Sequence, residues 1–176
     1  MKSRFYLCVM LALAVFPFAI PHANAQLANS PWPMLGGNAK HTGQSSEKGL
    51  NAGVLSWTYK TGDSIMDASP AIGPNDVVYI GSSDNIIYSF ESCGTLRWTF
   101  ATNFSILHSP AVDTDGNVYI PVGEYLYVLT SSGSFLWGKG TNGTIYSSPA
   151  IDSNGTIYIG SDDNKLCSAP LIMRQI

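Results

Sequence analysis

Three landmarks recur along this chain at one spacing, and that recurrence limits the fold more than anything else in the sequence. Trp57, Trp98 and Trp137 stand 41 and 39 residues apart. Ser69-Pro70-Ala71, Ser109-Pro110-Ala111 and Ser148-Pro149-Ala150 place their prolines 40 and 39 apart. The phrases "VVYIG" (77–81), "NVYIP" (117–121) and "TIYIG" (156–160) keep the same step. A fixed period of about 40 residues is the mark of a repeat architecture, in which each unit buries its apolar face against the next.

Each period holds four short runs rich in Ile, Val, Tyr and Phe, separated by Gly, Asn, Asp and Ser. The first set is 66–72, 77–80, 86–90 and 95–100; the second is 107–112, 117–122, 125–129 and 135–138. Such runs read as strands. Asp115-Gly116 and Asn154-Gly155 are expected to form two-residue type I′ turns, and "GPND" (73–76) a variant of the same turn. No segment carries a 3.6-residue apolar period, so no helix is expected beyond the leader. Four strands in about 40 residues is one blade of a propeller. A lone outer strand at 54–59, two complete sets and a last set of three strands ending near Ala169 make 12 strands. The expected fold is all-β: a β-propeller of four-stranded antiparallel blades, about three of them present, forming an open arc.

The first 25 residues read as a secretory signal peptide: Lys2 and Arg4, an apolar run from Phe5 to Ile20, and Ala23-Asn24-Ala25 as the cleavage site. Export to the periplasm or outside the cell follows, with no membrane span after cleavage. The 9 basic residues of the chain, less Lys2 and Arg4, leave 7 against 12 acidic ones, a net charge of −5. That balance argues against nucleic acid, whose phosphates require clustered Lys and Arg. Residues 26–53 read as an extended lead-in, 54–169 as the repeats, and 170–176 as an unmatched tail.

From Trp32 to Ala169 the sequence resembles the PQQ-like (quinoprotein-type) β-propeller repeat family. The carrying phrases are "SSPAIDSNGTIYIGSDDNKL" with its counterparts at Ser69 and Ser109, "SFESCGTLRW" and "LTSSGSFLW", in which a Gly turn precedes a docking Trp. "PWPMLGGNAKHTGQS" (31–45) is similar to the lead-in of secreted members. The resemblance implies strands laid from the axis outward in the order Ser-Pro-Ala, Tyr, third, Trp. It also implies a ring of seven or eight blades, of which this chain would be an incomplete part. After Ala169 the Gly turn and the Trp strand are missing from the pattern. Self-assembly through open edges is one consequence.

Two functions fit the resemblance. The leading one is an exported, non-catalytic binding or scaffold module for a protein or cell-envelope partner, with no cofactor. A relative of this kind is the outer-membrane assembly factor that scaffolds β-barrel insertion; it is a lipoprotein, and this chain lacks the lipid-accepting Cys. The alternative is a fragment of a PQQ-dependent quinoprotein dehydrogenase, which would need Ca²⁺ beside the quinone, an Asp base and an Arg at the quinone oxygens. Arg97, the one arginine within the blades, falls in an outer strand, so no catalytic, cofactor or metal residue carries over. Asp113–Asn117 begins like a calcium loop, with Glu124 at position 12, but its Gly comes at position 4 where a calcium loop needs it at position 6. It reads as a hairpin. Asp67 and His108 depart from the repeat near the axis, where Asp67 aligns with Leu107 and Tyr146, and His108 with Ala68 and Ser147. They are the candidate axis-facing contacts. His41 reads as a surface or packing residue. Cys93 and Cys167 fall at different repeat positions almost two blades apart, too far to bridge within one chain.

Overall fold

A computed structural model describes residues 26–38, 40, 42–44 and 55–169. The signal peptide, His41, Val54 and the 170–176 tail lie outside the described residues. Eleven strands form three antiparallel sheets. The first contains β1 (Ala71–Ile72), β2 (Val78–Gly81), β3 (Ile86–Phe90) and β4 (Leu96–Ala101) in sequential order. The second repeats that order with β5 (Ala111–Val112), β6 (Val118–Val122), β7 (Tyr125–Leu129) and β8 (Phe135–Gly140). The third has three strands, β9 (Ala150–Ile151), β10 (Ile157–Ser161) and β11 (Lys165–Ala169).

The registers are equivalent from sheet to sheet. Ala71 pairs with Tyr79, Ala111 with Tyr119 and Ala150 with Tyr158; on the other side these tyrosines pair with Ser89, Val128 and Ser168. Side chains alternate across each sheet, so a central sheet must be apolar on both faces. Sheet 2 is: Val118, Ile120 and Val122 join Ala71, Tyr79 and Ile87 of sheet 1 in one core. Ala111, Tyr119, Leu126 and Val128 join Ile151, Ile157 and Ile159 of sheet 3 in another. The sheets thus stack 1 on 2 on 3 as an open arc with no closed barrel. The repeated Trp joins neighbours at the rim. Trp57 Nε1 donates to the Ser92 carbonyl and Trp98 Nε1 to that of Ser131, each at 3.0 Å. Gly94 (φ +88°) and Gly133 (φ +85°) lie flat beneath these indoles, where an added Cβ would sit 2.6 Å and 2.7 Å from the rings.

Three expectations need correction. The segment 54–59 forms no strand over its described residues, because a strand needs a paired neighbour and the sheet it would extend is not present beside it. The innermost runs 66–72 and 107–112 shrink to two paired residues each. Pro70 and Pro110 have no N–H to offer, and the N–H groups just before them turn to the next sheet. Ser69 N–H donates to Ser109 Oγ (2.7 Å) and Ser109 N–H to Ser148 Oγ (3.2 Å), which explains why Ser recurs there. The Asp-Gly and Asn-Gly turns are not type I′. Only Gly116 (φ +80°) and Gly155 (φ +81°) are left-handed in them. Gly116 N–H bonds the Asp113 carbonyl at 3.0 Å and Asp113 N–H bonds that of Asn117 at 3.1 Å, a type I turn closed by a glycine bulge. The carboxylate of Asp113, accepting from the N–H of Asp115 and of Asn117, selects this turn. "GPND" does carry the expected turn: Asn75 and Asp76 are both left-handed (φ +58° each) between Pro74 and Val77, whose N–H reaches the Pro74 carbonyl at 3.5 Å, the backbone of a type I′ turn.

The lead-in runs along the inner strands. Ile72 N–H bonds the Trp32 carbonyl (2.6 Å), Val112 N–H that of Pro33 (3.0 Å), and Ala28 N–H that of Val112 (2.9 Å). These bonds satisfy edges that face the axis, and Met34 is fully buried in the core between sheets 2 and 3.

Candidate functional site

Antiparallel order sorts the connections between two ends of the arc. The β1–β2 and β3–β4 turns, with their counterparts, lie at one end; the β2–β3 turns and the loops that carry the chain from one sheet to the next lie at the other. The first end is mostly polar, with Asn75, Thr114, Asp115, Ser131, Ser132, Ser153 and Asn154, and its exposed apolar side chains are Leu96 and Phe135, where β4 and β8 leave their turns. The second, the loop end, differs. Ile65, Met66, Phe104, Tyr125 and Tyr146 are all exposed there, Tyr146 by 62%. Asp63, Asp67, Asp84, Glu124, Asp162 and Asp163 lie among them. Acids stand at both ends, with Asp76, Glu91, Asp115 and Asp152 on the turn end and Lys60, Lys139 and Lys165 among those of the loop end, so what marks the loop end is its large apolar side chains held in water.

The loops that hold these side chains are themselves ordered by repeated bonds. Thr102 N–H and Oγ1–H both reach the Asn85 carbonyl, and Thr141 does the same to Glu124. Ile106 N–H bonds the Ser82 carbonyl at 3.2 Å and Ile145 N–H that of Gly123 at 2.9 Å. Both isoleucines are buried, so each loop is pinned where it enters the next sheet. Phe104 lies over Gly123 (φ +60°), in a depression shared with Tyr125 and Thr144.

At the inner end of the loops, Asp67, His108 and Tyr146 come together from three successive repeats. None is in a strand. Asp67 has φ +52°, an uncommon conformation for a residue with a side chain. The His108 ring meets Tyr146 edge-on, with centroids 5.9 Å apart and planes at 84°. Burial pushes the His108 imidazole below its usual range, and the negative charge of Asp67 works against that shift. Sequence reading singled out two members of this group and missed Tyr146, although Tyr146 aligns with Asp67 in the repeat. It also missed Phe104 and Tyr125, because an exposed loop aromatic has no periodic signature.

The calcium-like loop is built as a hairpin. The carboxylate of Asp113, 1% exposed, accepts from Asp115 N–H (3.0 Å), Asn117 N–H (2.8 Å), Asn117 Nδ2 (2.9 Å) and Tyr119 Oη (2.8 Å). Its lone pairs point at N–H and O–H donors. Arg97 lies in β4 at the rim, ion-paired with Glu91 at 2.9 Å. No group of three or more His, Cys, Asp and Glu gathers at metal-binding distance among the described residues. Cys93, exposed in a turn of sheet 1, and Cys167, half-buried in β11, are free thiols.

The third sheet is incomplete on its outer side. Among the described residues no strand lies outside β11, and between β8 and β11 a cleft of about 590 Å³ opens, lined by Trp137, Gly140, Ile159, Lys165 and Cys167. A smaller apolar hollow of about 380 Å³ opens at the other end of the arc, lined by Trp57, Tyr59, Ile65, Val78 and Phe90.

No family model matches the chain, and no curated protein matches it. Solved structures do. BamB from Moraxella catarrhalis aligns at a TM-score of 0.58 and 21% identity, over 70% of this chain and 41% of that one. The WD40 β-propeller domain of Doa1 aligns at 0.48 and 19%, over 56% of this chain and 34% of that one. The fold is that of a β-propeller. The chain spans less than half the length of either neighbour. No described helix is long and apolar enough to cross a membrane.

Proposed function

We propose that this chain is an exported, non-catalytic propeller module that holds a protein partner of the cell envelope on its loop end. The observation that carries the reading is the contrast between the two ends. Apolar side chains in water cost free energy, roughly 25 cal/mol per Å² of apolar surface, and scattered single ones are ordinary. Here five of them stand on successive loops of one end, with aromatics prominent and acids around them. Buried aromatic anchors inside a polar rim are the usual make-up of a protein-binding patch. The ordered loops add to this, since a pre-organised surface loses less entropy on binding. The carboxylates of Asp63, Asp67, Asp84 and Glu124 beside these side chains favour a partner segment that sets Lys or Arg next to apolar residues. The leader-like N-terminus supports export, and the sequence resemblance supports a place in the cell envelope.

The reading is tested by placing a photo-reactive residue at Phe104 or Tyr146, and for comparison at Thr114 or Asn154 on the turn end, in the producing cell. A discrete cross-linked protein from the first pair and none from the second is expected. Equal cross-linking from both ends would defeat the assignment of the face. The dehydrogenase alternative is tested by adding PQQ and Ca²⁺ to the full chain and following dye reduction with alcohols and sugars. Turnover there would replace the scaffold reading.

A further inference from the structure

The arc presents, at its two ends, the two halves of one blade. Among the described residues sheet 3 has three strands, with none on the outer side of β11. At the far side of sheet 1 an extended segment, Leu55–Lys60, has no strand beside it among the described residues. Repeat numbering identifies that segment as a fourth strand: Trp57 corresponds to Trp98 and Trp137, and Gly53 stands four residues before Trp57 as Gly94 and Gly133 do before theirs. We propose that a second copy of this chain completes the arc. Its 55–60 segment adds to β11 as a fourth strand, and two copies, joined this way twice, make a six-bladed ring.

The fit is specified residue by residue. In sheet 1 the third and fourth strands pair Ser89 with Trp98, Tyr88 with Thr99 and Ile87 with Phe100. Transferring that register to β11 sets Trp57 of the second copy opposite Ser168, Thr58 opposite Cys167 and Tyr59 opposite Leu166. The sheet-3 face that would meet the second copy has the right side chains left uncovered. Tyr79 and Tyr119 are 1% and 0% exposed, while their counterpart Tyr158 is 37% exposed. Ile87 and Leu126 are 0% and 1% exposed, while Leu166 is 75% exposed. Each covered tyrosine has a tryptophan beside it, Tyr79–Trp98 at 5.8 Å and Tyr119–Trp137 at 6.5 Å. Tyr158 would acquire Trp57 of the second copy.

The repeated polar bonds also run on into the second copy. The Ser69–Ser109–Ser148 chain continues if Ser148 N–H donates to the second copy's Ser69. Thr102 and Thr141 bond the carbonyls of Asn85 and Glu124. Thr61, at the same repeat position, would bond that of Asn164, whose φ of +64° matches the +69° of Asn85. One opposition runs against the pairing, Lys60 beside Lys165, and Asp163, 2.9 Å from Lys165 Nζ, offsets it. Two arcs of three give six blades, within the usual four to eight of closed propellers. A closed ring leaves no open sheet edge.

Sedimentation of the full chain decides the stoichiometry. A species of twice the chain mass, its share rising with concentration, is expected. The register is read by Thr58→Cys in a chain carrying Cys8→Ser and Cys93→Ser, which leaves Cys167 as the sole native thiol. Opposed residues on antiparallel strands have Cβ atoms about 4.5–5.5 Å apart, within reach of a disulfide. Mild oxidation should therefore link two chains, with peptide mass spectrometry mapping the bond to positions 58 and 167. Tyr59→Cys in the same background, facing the other side of the strand, should link poorly. A chain that stays monomeric at every concentration overturns the proposal, as does a cross-link mapped to another pair. A ladder of trimers and longer species overturns the two-copy ring. The mass measurement uses the unaltered chain, so a variant that fails to fold does not blunt the test.

Discussion

Removing the Asp113 carboxylate should destabilise the arc far more than removing its counterpart Asp152. The two residues sit at the same place in the same turn. Asp152 accepts from Asn154 N–H (2.8 Å), Thr156 N–H (2.9 Å) and Tyr158 Oη (3.3 Å), a set close to that of Asp113. The difference is burial: the lead-in covers Asp113, with Thr114 N–H bonded to the Gln26 carbonyl at 2.7 Å, and Tyr119 is fully buried. In Asp113→Ala the Tyr119 hydroxyl loses its acceptor with no water to replace it. A buried donor left unsatisfied costs about 1–3 kcal/mol, and a lost hydrogen bond to a charged group about 1.5–3 kcal/mol. The expected loss is roughly 3–5 kcal/mol of the unfolding free energy, a large part of a domain's usual total of about 5–15 kcal/mol. Asp152→Ala should cost much less, since the bonds from Asn154 N–H and Tyr158 Oη are exposed and water can replace them. Urea unfolding of both variants at one fixed protein concentration, followed by tryptophan fluorescence, measures the difference. Tyr119→Phe supplies the second arm: combined with Asp113→Ala it should recover about 1–2 kcal/mol relative to additivity, because both partners of the buried bond are then gone. An Asp113→Ala loss equal to that of Asp152→Ala would refute the claim that burial, and not the turn's hydrogen-bond pattern, sets the cost.

Trp98→Ala should cost about 3 kcal/mol, in the range for removing a packed indole, and Trp137→Ala distinctly less, because of these two Trp98 is the one docked on a described glycine turn with its Nε1 bonded; thermal unfolding of the two variants compares them. Burial, helped by the bond to Asp84, pushes the Tyr88 phenol up to about 12 from its usual 10. The unfolded chain ionises first, so the stability from this group is complete below pH 10 and is lost between about 10 and 12; ultraviolet titration of the folded chain should show a tyrosine that ionises late, and its absence in Tyr88→Phe checks the assignment. His108 is depressed by burial, so its stabilising effect is present above the ordinary imidazole range and is lost as pH falls through the depressed value. Asp67→Asn removes the opposing charge and should lower the His108 value further, readable by NMR titration of the ring.

Much of the arc is legible in the sequence because every blade states the same constraints. Ala, Tyr and third-strand residues fall into identical registers, and the Trp after each Gly turn marks the joint between sheets. The turn type was not legible, because Asp-Gly before a strand suits two hairpin geometries. What decides between them is the carboxylate at Asp113, two residues earlier, folding back on the N–H groups of Asp115 and Asn117. The segment 54–59 reads as a strand by composition, yet strand is a property of a pair, and no described strand lies beside it. The loop-end patch was legible only in part. Asp67 and His108 stood out by breaking the repeat. Tyr146 and Phe104 did not, since their significance depends on which end of the sheets the loops occupy.

The loop end and the open blade faces answer to different selection within one repeat. At Tyr79, Tyr119 and Tyr158 the side chain is constant while its burial changes from one blade to the next, so the sequence there encodes a joint that every blade must be able to make. At Asp67, Leu107 and Tyr146 the position is constant while the side chain changes, so no shared packing requirement holds it. Residues of the first kind are conserved between repeats because each has the same neighbour to meet. Residues of the second kind are released from that rule and can be fitted to a partner outside the chain. Substitution should separate them: Tyr158→Ser ought to weaken the joining of copies and leave cross-linking from Tyr146 of whatever monomer remains unchanged, whereas Tyr146→Ser ought to abolish partner cross-linking from Phe104 with the chain mass in solution unaltered. Should Tyr146→Ser change the mass, the two surfaces are one, and the division between joint and binding end does not hold.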